Sequence, residues 1–286
     1  MRERPNLYGK CFTMTRPAVG AKRVAVLGLG EAGSLLARDL VRGGAHVAGW
    51  DPHFHGDLSD IPRARSFAAA VDGADVVVSV NWAIVAADVA REAAPLLRPG
   101  VIFADHNTAG PALKRELAAI VGPTGAAFVD VAMMAPVPPL GMRVGMFLAG
   151  DGAEDLAIFY RRFGTPATVV GTEPGEANAR KLCRSVFFKG MSSAVWEALA
   201  AARAAGVEDW LREDIARTFV AADDAFINRL VDGTAKHAVR RAHEMHDAAA
   251  MLAELGVPTT MADATAESLE RIAAERAVEP RAALAT

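Results

Sequence analysis

Val24-Ala25-Val26-Leu27-Gly28-Leu29-Gly30-Glu31-Ala32-Gly33 is the stretch that decides the fold. An apolar run passes directly into glycines spaced G-x-G-x-x-G, and a helical pattern from Ser34 to Val41 follows. In such a strand–turn–helix the first glycine permits the tight turn. The second lets backbone N–H groups approach a pyrophosphate, and the third lets the helix pack closely on its strand. Gly28, Leu29, Gly30, Glu31, Ala32 and Gly33 therefore form the expected phosphate cradle, to which the helix N-terminus adds unpaired donors and a positive dipole end. The next apolar run, His46 to Trp50, ends at Asp51. An acidic residue about 20 positions beyond the glycines accepts hydrogen bonds from a ribose with free hydroxyls and repels a 2′-phosphate. NAD is the expected cofactor, with NADP disfavoured.

Strand-like runs then alternate with helical patterns as far as Val170. Strands are expected at 23–28, 46–51, 75–80, 101–105, 126–131, 144–150 and 167–170, and helices at 31–43, 83–96, 110–121 and 153–164. Runs such as Asp75-Val76-Val77-Val78-Ser79-Val80 fit a sheet covered on both faces. After Gly171-Thr172-Glu173-Pro174-Gly175 the period becomes purely helical, over 177–205, 208–230, 234–255 and 261–277, with Gly206, Gly256 and Pro258 as stops. The fold class is thus an α/β Rossmann-like N-terminal domain followed by an all-α C-terminal domain. Residues 1–21 read as a flexible lead-in, 22–173 as the dinucleotide-binding domain and 174–286 as a helical substrate-binding domain, frayed from about residue 280. The alanine- and leucine-rich faces of the long helices point to a homodimer through this domain; packing within one chain is the alternative.

With 286 residues, 52% of them hydrophobic, the chain can bury a real core, and a net charge of −3 gives no whole-chain signal for nucleic acid or an anionic membrane. The lead-in is basic but interrupted by Pro5 and Pro17, and it lacks an apolar signal core. Cys11 and Cys183 make neither a disulfide framework nor a metal knuckle, and charges break every candidate membrane span. A cytoplasmic protein is expected.

Ligands of open α/β sheets sit beyond the carboxyl ends of the strands. Asn81 is therefore a candidate for ribose or carboxamide contact, or for capping the helix that follows. Asn107 and Thr108 are candidates for the nicotinamide side, or for capping the helix entered through Pro111. Lys181, Arg184 and Ser185 share one side of the helix that opens the second domain. A partly desolvated lysine there can exchange a proton near neutrality, an arginine can clamp a carboxylate, and a serine can orient the reacting oxygen. Met133 and Met134 can shape an apolar pocket or fill core. His237 and Arg241 lie on a later helix that can approach the cleft, Arg241 being a second carboxylate candidate. His53 and His55 are read as bordering the adenosine end or facing solvent. His243 and His246 lack partners that would complete a metal site, and no metal is expected.

Three stretches resemble the β-hydroxyacid dehydrogenase family, which includes 3-hydroxyisobutyrate and 6-phosphogluconate dehydrogenases. They are Val24 to Gly33, Phe128-Val129-Asp130-Val131-Ala132-Met133-Met134-Ala135-Pro136, and Gly175-Glu176-Ala177-Asn178-Ala179-Arg180-Lys181, within a resemblance that runs from Lys22 to about Ala277. The resemblance implies that Lys181 is the catalytic lysine and that the helical domain supports dimerisation. Two departures stand out: Ser185 replaces the family's asparagine four residues after the lysine, and Met134-Ala135-Pro136 replaces its serine–glycine–glycine substrate loop. The run from Lys181 to Gly190 is closer to a less characterised 6-phosphogluconate-dehydrogenase-like branch. The function expected from these features is an NAD-dependent dehydrogenase transferring hydride to or from a small hydroxy acid, most naturally a β-hydroxy acid. Lys181 would be the general acid/base, with Ser185 assisting. Arg184, with backbone donors near Met133, Met134 and Ala135, would hold the substrate carboxylate. The alternatives are an imine or neutral-carbonyl reductase on the same scaffold, and a non-catalytic NAD-binding regulatory dimer.

Overall fold

The computed structural model describes residues 22–54, 56 and 59–283. The lead-in 1–21 with Cys11, His55 and residues 284–286 lie outside the described residues. The chain forms two compact units, one running through Arg184 and the other from Ser185.

The first unit is built on β1 (Arg23–Leu27), β2 (His46–Trp50), β3 (Val76–Ser79), β4 (Ile102–Asp105), β5 (Ala127–Met133), β6 (Met146–Ala149) and β7 (Ala167–Gly171), in the order β2-β1-β3-β4-β5-β6-β7. Successive side chains of a strand face opposite sides, so β1 places Val24 and Val26 in one apolar cluster and Ala25 and Leu27 in another. α1 (Glu31–Arg42) and α5 (Ala153–Arg161) close the first cluster through Leu36, Leu40, Leu156 and Tyr160. α2 (Phe67–Val71), α3 (Ala86–Ala93) and α4 (Pro111–Val121) close the second through Phe67, Ala86, Ala90, Ala93, Leu117 and Val121. Full burial of a leucine such as Leu36 or Leu40 stabilises the fold by about 1.5–3 kcal/mol. β1 lies between β2 and β3, so the chain's direction of winding reverses there and the loops after β1 and β3 part to leave a crevice.

Three features depart from the sequence reading. α2 was not expected; it is a short helix whose N-cap, Ser66, accepts a hydrogen bond from Ala69 N–H. β6 pairs antiparallel to β5, because the intervening loop holds only a 3-10 turn, Gly141–Arg143, and no crossover helix. The sequence places the domain boundary at 173/174, whereas the division into units falls inside α6 (Glu176–Ala204), whose first turn is bound to β5 by hydrogen bonds to Asp130.

Described by itself, the second unit comprises the rest of α6, α7 (Glu208–Ala221), α8 (Asp224–Glu254) and α9 (Thr260–Ala283). The expected break near residues 231–233 instead falls at Ala222, since the Asp223 carboxylate caps α8 through Phe226 N–H at 2.8 Å. α8 passes through Gly233 and kinks at His237. α9 continues past 277, so the tail expected to fray from 280 is helical to Ala283. The buried Glu197 carboxylate accepts hydrogen bonds from Met261 and Ala262 N–H and so fastens the start of α9 to α6.

At the end of β4 the His106 ring is wholly buried, with Nδ1 3.1 Å from the Ala104 carbonyl and Nε2 3.0 Å from the Tyr160 hydroxyl. A carbonyl only accepts, so Nδ1 carries the hydrogen and the hydroxyl donates to Nε2. Burial holds the imidazole down to about 3. The unfolded chain takes up a proton near pH 6.5 that the folded chain refuses. This contribution to stability is therefore complete above that pH and is lost as pH falls toward 3, at about 1.4 kcal/mol per pH unit. Urea unfolding at pH 6.5 and 4.5 should show the native chain losing about 2–3 kcal/mol more than His106→Gln; equal losses would contradict the buried neutral ring. The glycines give a second expectation. A methyl group on Gly33 would lie 2.0 Å from the Gly28 carbonyl oxygen, whereas one on Gly30 would meet nothing within 4 Å. Gly33→Ala should lower unfolding free energy by about 1–3 kcal/mol, and Gly30→Ala should stay within about 0.5 kcal/mol of the native value, as read by denaturant titration.

Candidate active site

The loop from β1 to α1 has the geometry its sequence implies. Gly28 sits at φ +103°, and a side chain there would collide with the Val80 carbonyl 2.2 Å away. Gly30, the N-cap of α1, faces open space, and no side chain caps the helix. The first-turn N–H groups of Glu31, Ala32 and Gly33 therefore have no intrahelical acceptor and are available to a phosphate. Asp51, at the end of β2, accepts Leu29 N–H on one carboxylate oxygen at 2.8 Å and His53 N–H on the other at 2.9 Å. Those bonds fix the carboxylate against the glycine loop, and each oxygen keeps a lone pair for a ribose hydroxyl. These residues fit a dinucleotide.

The ends of β3, β4 and β5 carry a row of buried polar side chains: Ser79 pairs in register with Asp105, and Asp105 with Asp130. Lys114 of α4, 0% exposed, lies between the two carboxylates. Its Nζ is 2.6 Å from Asp105 Oδ2, 3.1 Å from the Asp105 carbonyl and 3.1 Å from Asp130 Oδ1. Burial pushes the Asp105 carboxyl up from its ordinary range, and the ammonium opposes that shift. On the β4 side, Asn107 donates to Asp105 and its amide oxygen accepts Asn81 N–H, while the Asn81 amide donates to Ser79 at 3.0 Å. On the β5 side, Asp130 accepts N–H groups from Gly175 and Asn178 and the Asn178 side-chain amide. Removing the ammonium alone would leave two buried carboxylates without it, a loss on the order of 3–5 kcal/mol.

This network corrects the capping readings. The Asn81 side chain is turned to Ser79, and that of Asn107 to Asp105 and Asn81, so neither caps a helix; α4 begins at an uncapped Gly110. Thr108 receives a 2.8 Å hydrogen bond from Lys181 Nζ. The structure thus brings the lysine and the loop after β4 together. Arg184 donates to the Met134 carbonyl at 3.3 Å, and Met134 N–H is taken by the Gly145 carbonyl at 2.8 Å. The loop's backbone donor at Met134 is therefore not available to a carboxylate. Met133 packs partly against the main core and Met134 against Ala132, Ala149 and Ala177, while Ala135 is exposed. Ser185 is half-buried on α6, at the start of the second unit.

In the second unit Arg241 donates to Thr234 at 2.8 Å and lies against Gly233, and His237 sits exposed at the kink of α8. Arg241 thus has a local acceptor within α8. Exposed His246 pairs with Glu270 at 2.8 Å, and among the described residues no group of three or more His, Cys, Asp or Glu could hold a metal ion. The sequence reading missed Lys114, Asp130 as an anchor, Asn178, and the His106–Tyr160 pair. One signal was present: Lys114 shares the α4 stripe of Leu117 and Val121, so a charge stood on a face that had to be buried.

Comparison with known proteins agrees with this geometry. Residues 23–136 match the family model described as the NAD binding domain of 6-phosphogluconate dehydrogenase, and 202–272 match a domain of unknown function, DUF1932. A conserved hypothetical protein from Sinorhizobium meliloti 1021 is 30% identical, with 87% of each chain covered and a TM-score of 0.58. A conserved protein described as structurally similar to 3-hydroxyacid dehydrogenases is 29% identical over 87% of this chain and 97% of that one, with a TM-score of 0.58. An imine reductase variant from Myxococcus stipitatus, solved with NAD+, is 22% identical over 89% of this chain and 94% of that one, at a TM-score of 0.72, a likeness of fold. An uncharacterised protein from Methanothermus fervidus is 28% identical over 148 residues, and the chain spans about half (56%) of the length of that curated relative. No helix among the described residues is long and apolar enough to cross a membrane. The chain therefore belongs to one family with the Sinorhizobium protein, carries over residues 23–136 a Rossmann-type NAD-binding domain of the 6-phosphogluconate dehydrogenase kind, and shares with the imine reductases a likeness of fold.

Proposed function

We propose that this protein is an NAD-preferring reductase that adds hydride to the carbon of an imine or a neutral carbonyl compound, with Lys181 supplying the proton. The observation that carries this reading is the Lys181 ammonium held 2.8 Å from Thr108 Oγ1 at the carboxyl end of β4, where ligands of such sheets bind. The dihydronicotinamide, when bound, supplies the hydride. As the carbon gains it, the π pair of the C=N or C=O bond moves to nitrogen or oxygen and takes a proton from Lys181 Nζ. Thr108 orients that Nζ. A neutral substrate suits the first unit's loop, where Met133 and Met134 are apolar and the Arg184 guanidinium is turned to a backbone carbonyl. The fold likeness to imine reductases supports the same choice.

The second reading is the reverse chemistry on a small β-hydroxy acid, with Lys181 taking the hydroxyl proton. It is supported by the 6-phosphogluconate dehydrogenase model on residues 23–136. Ser185, Arg241 and His237 remain proposals for substrate contact in either reading. Exposed Trp196, Trp210 and Phe219 support a homodimer through the second unit. A cytoplasmic setting completes the reading.

Cyclic imines and ketones assayed with NADH, against C3 to C6 hydroxy acids assayed with NAD+, separate the two readings; the reductive panel should give the higher kcat/KM. Lys181→Met should lower kcat by about 10²–10⁴ with the KM for NADH held within about twofold, and full turnover in that variant would refute the lysine's role. Matched kinetics should favour NADH over NADPH by about tenfold or more, and Asp51→Ser should erase most of that preference. A native preference for NADPH would overturn the part given to Asp51.

A further inference from the structure

We infer that Lys114 is a positioning residue: the buried network around it sets the approach of Lys181 to Thr108. This deepens the reading of Lys181 given above. Three hydrogen bonds or ion pairs radiate from Lys114 Nζ, two to Asp105 and one to Asp130. Each aspartate then leads to one member of the reactive pair. Asp105 binds Asn107, the residue before Thr108. Asp130 binds the backbone and the side-chain amide of Asn178, one helical turn before Lys181 on α6. Thr108 and Lys181 are 73 positions apart in sequence, and the ion cluster links their supports alongside the β4–β5 backbone ladder.

Apolar packing alone would not fix that spacing. A loop and a helix start held by non-directional contacts can slide by a few tenths of an ångström at little cost. Charge-assisted hydrogen bonds in a water-free interior are directional and resist the same displacement. A buried ion cluster is a weak source of net stability, and its best-attested use is to specify one arrangement over others. In this chain the arrangement specified is that of a proton-bearing amine against a hydroxyl, where a misplacement of about 1 Å can cost about a hundredfold in rate.

The test reads the amine directly and needs no substrate. In the full chain, pulse acetylation with acetic anhydride at pH 8, followed by peptide mass spectrometry, gives the labelling rate of Lys181 relative to exposed Lys189 and Lys236. Lys114→Met/Asp105→Asn conserves the formal charge of the cluster while cutting its tie to β4. Asn178→Ala leaves the ion cluster whole and removes the side-chain amide's bonds to Asp130 and the Val131 carbonyl, while the Gly175 and Asn178 backbone bonds to Asp130 stay. Both should raise relative Lys181 labelling at least threefold as the amine leaves Thr108. Unchanged labelling in folded Lys114→Met/Asp105→Asn would overturn the proposal. Should that variant fail to fold, unchanged labelling in Asn178→Ala would do the same. Once a substrate is found, the double variant should also lose about tenfold or more in kcat with the KM for NADH held within about twofold. A failed substrate search bears on the proposed reaction and leaves the labelling result standing.

Discussion

A lysine ammonium enclosed by two aspartates in the interior of a sheet is the constraint around which the first unit is organised. Lys114, Asp105 and Asp130 are all fully buried. Such a group is tolerated only where its protons and lone pairs find partners. Here the partners are a strand-end carbonyl, Asn107, and the Gly175 and Asn178 amides. Satisfying them ties α4 and the start of α6 to the ends of β4 and β5, whose register the backbone ladder sets. A more apolar centre could match its stability, but it would not fix those four positions together.

The fold was largely legible because its signals are local. Gly28 and Gly33 of the cradle meet atoms of their own turn or of the segment after β3, and Asp51 closes the strand next to β1, so spacing alone brings them together. The alternation of apolar strands with helical patterns likewise needs no tertiary knowledge. What escaped was decided by pairings distant in sequence. Asn178 meets Asp130 across 48 residues and Tyr160 meets His106 across 54. Asn81 and Asn107 were read as cofactor contacts or local caps; the Asn81 amide instead bonds Ser79 on its own strand, and the Asn107 amide oxygen reaches Asn81 N–H across the sheet. The start of α8 at Asp224 shows the opposite error: the helices were divided between 230 and 234, around Gly233, although a helix tolerates an interior glycine at a cost of about 1 kcal/mol and the aspartate cap, Asp223, lies ten residues before that glycine.

Two kinds of polarity are segregated in the first unit. The phosphate cradle uses unpaired backbone donors at an open helix end, where a bound anion meets little steric resistance because Gly30 has no side chain. The ends of β3, β4 and β5 use side chains instead, bonded to one another, with the Asn178 Oδ1 left as a buried oxygen without a hydrogen-bond partner among the described residues. The first arrangement awaits a ligand. The second binds its carboxylates and ammonium internally, and so can act as a seat for the groups that carry chemistry.

That segregation bears on the charge of the substrate. A carboxylate held by this unit would need donors that are not already committed. Met134 N–H is taken by the Gly145 carbonyl, and Arg184 is directed at the Met134 carbonyl. The β5 segment through Met133 is paired in register with β6. Re-aiming the Arg184 nitrogen that meets the Met134 carbonyl would forfeit that 3.3 Å bond. A neutral imine or carbonyl compound asks for no ion partner: it needs a single proton donor, which Lys181 presents beside Thr108. The reductase reading therefore leaves the Arg184 bond to the loop in place, whereas the hydroxy-acid reading adds a carboxylate to a guanidinium already tethered there.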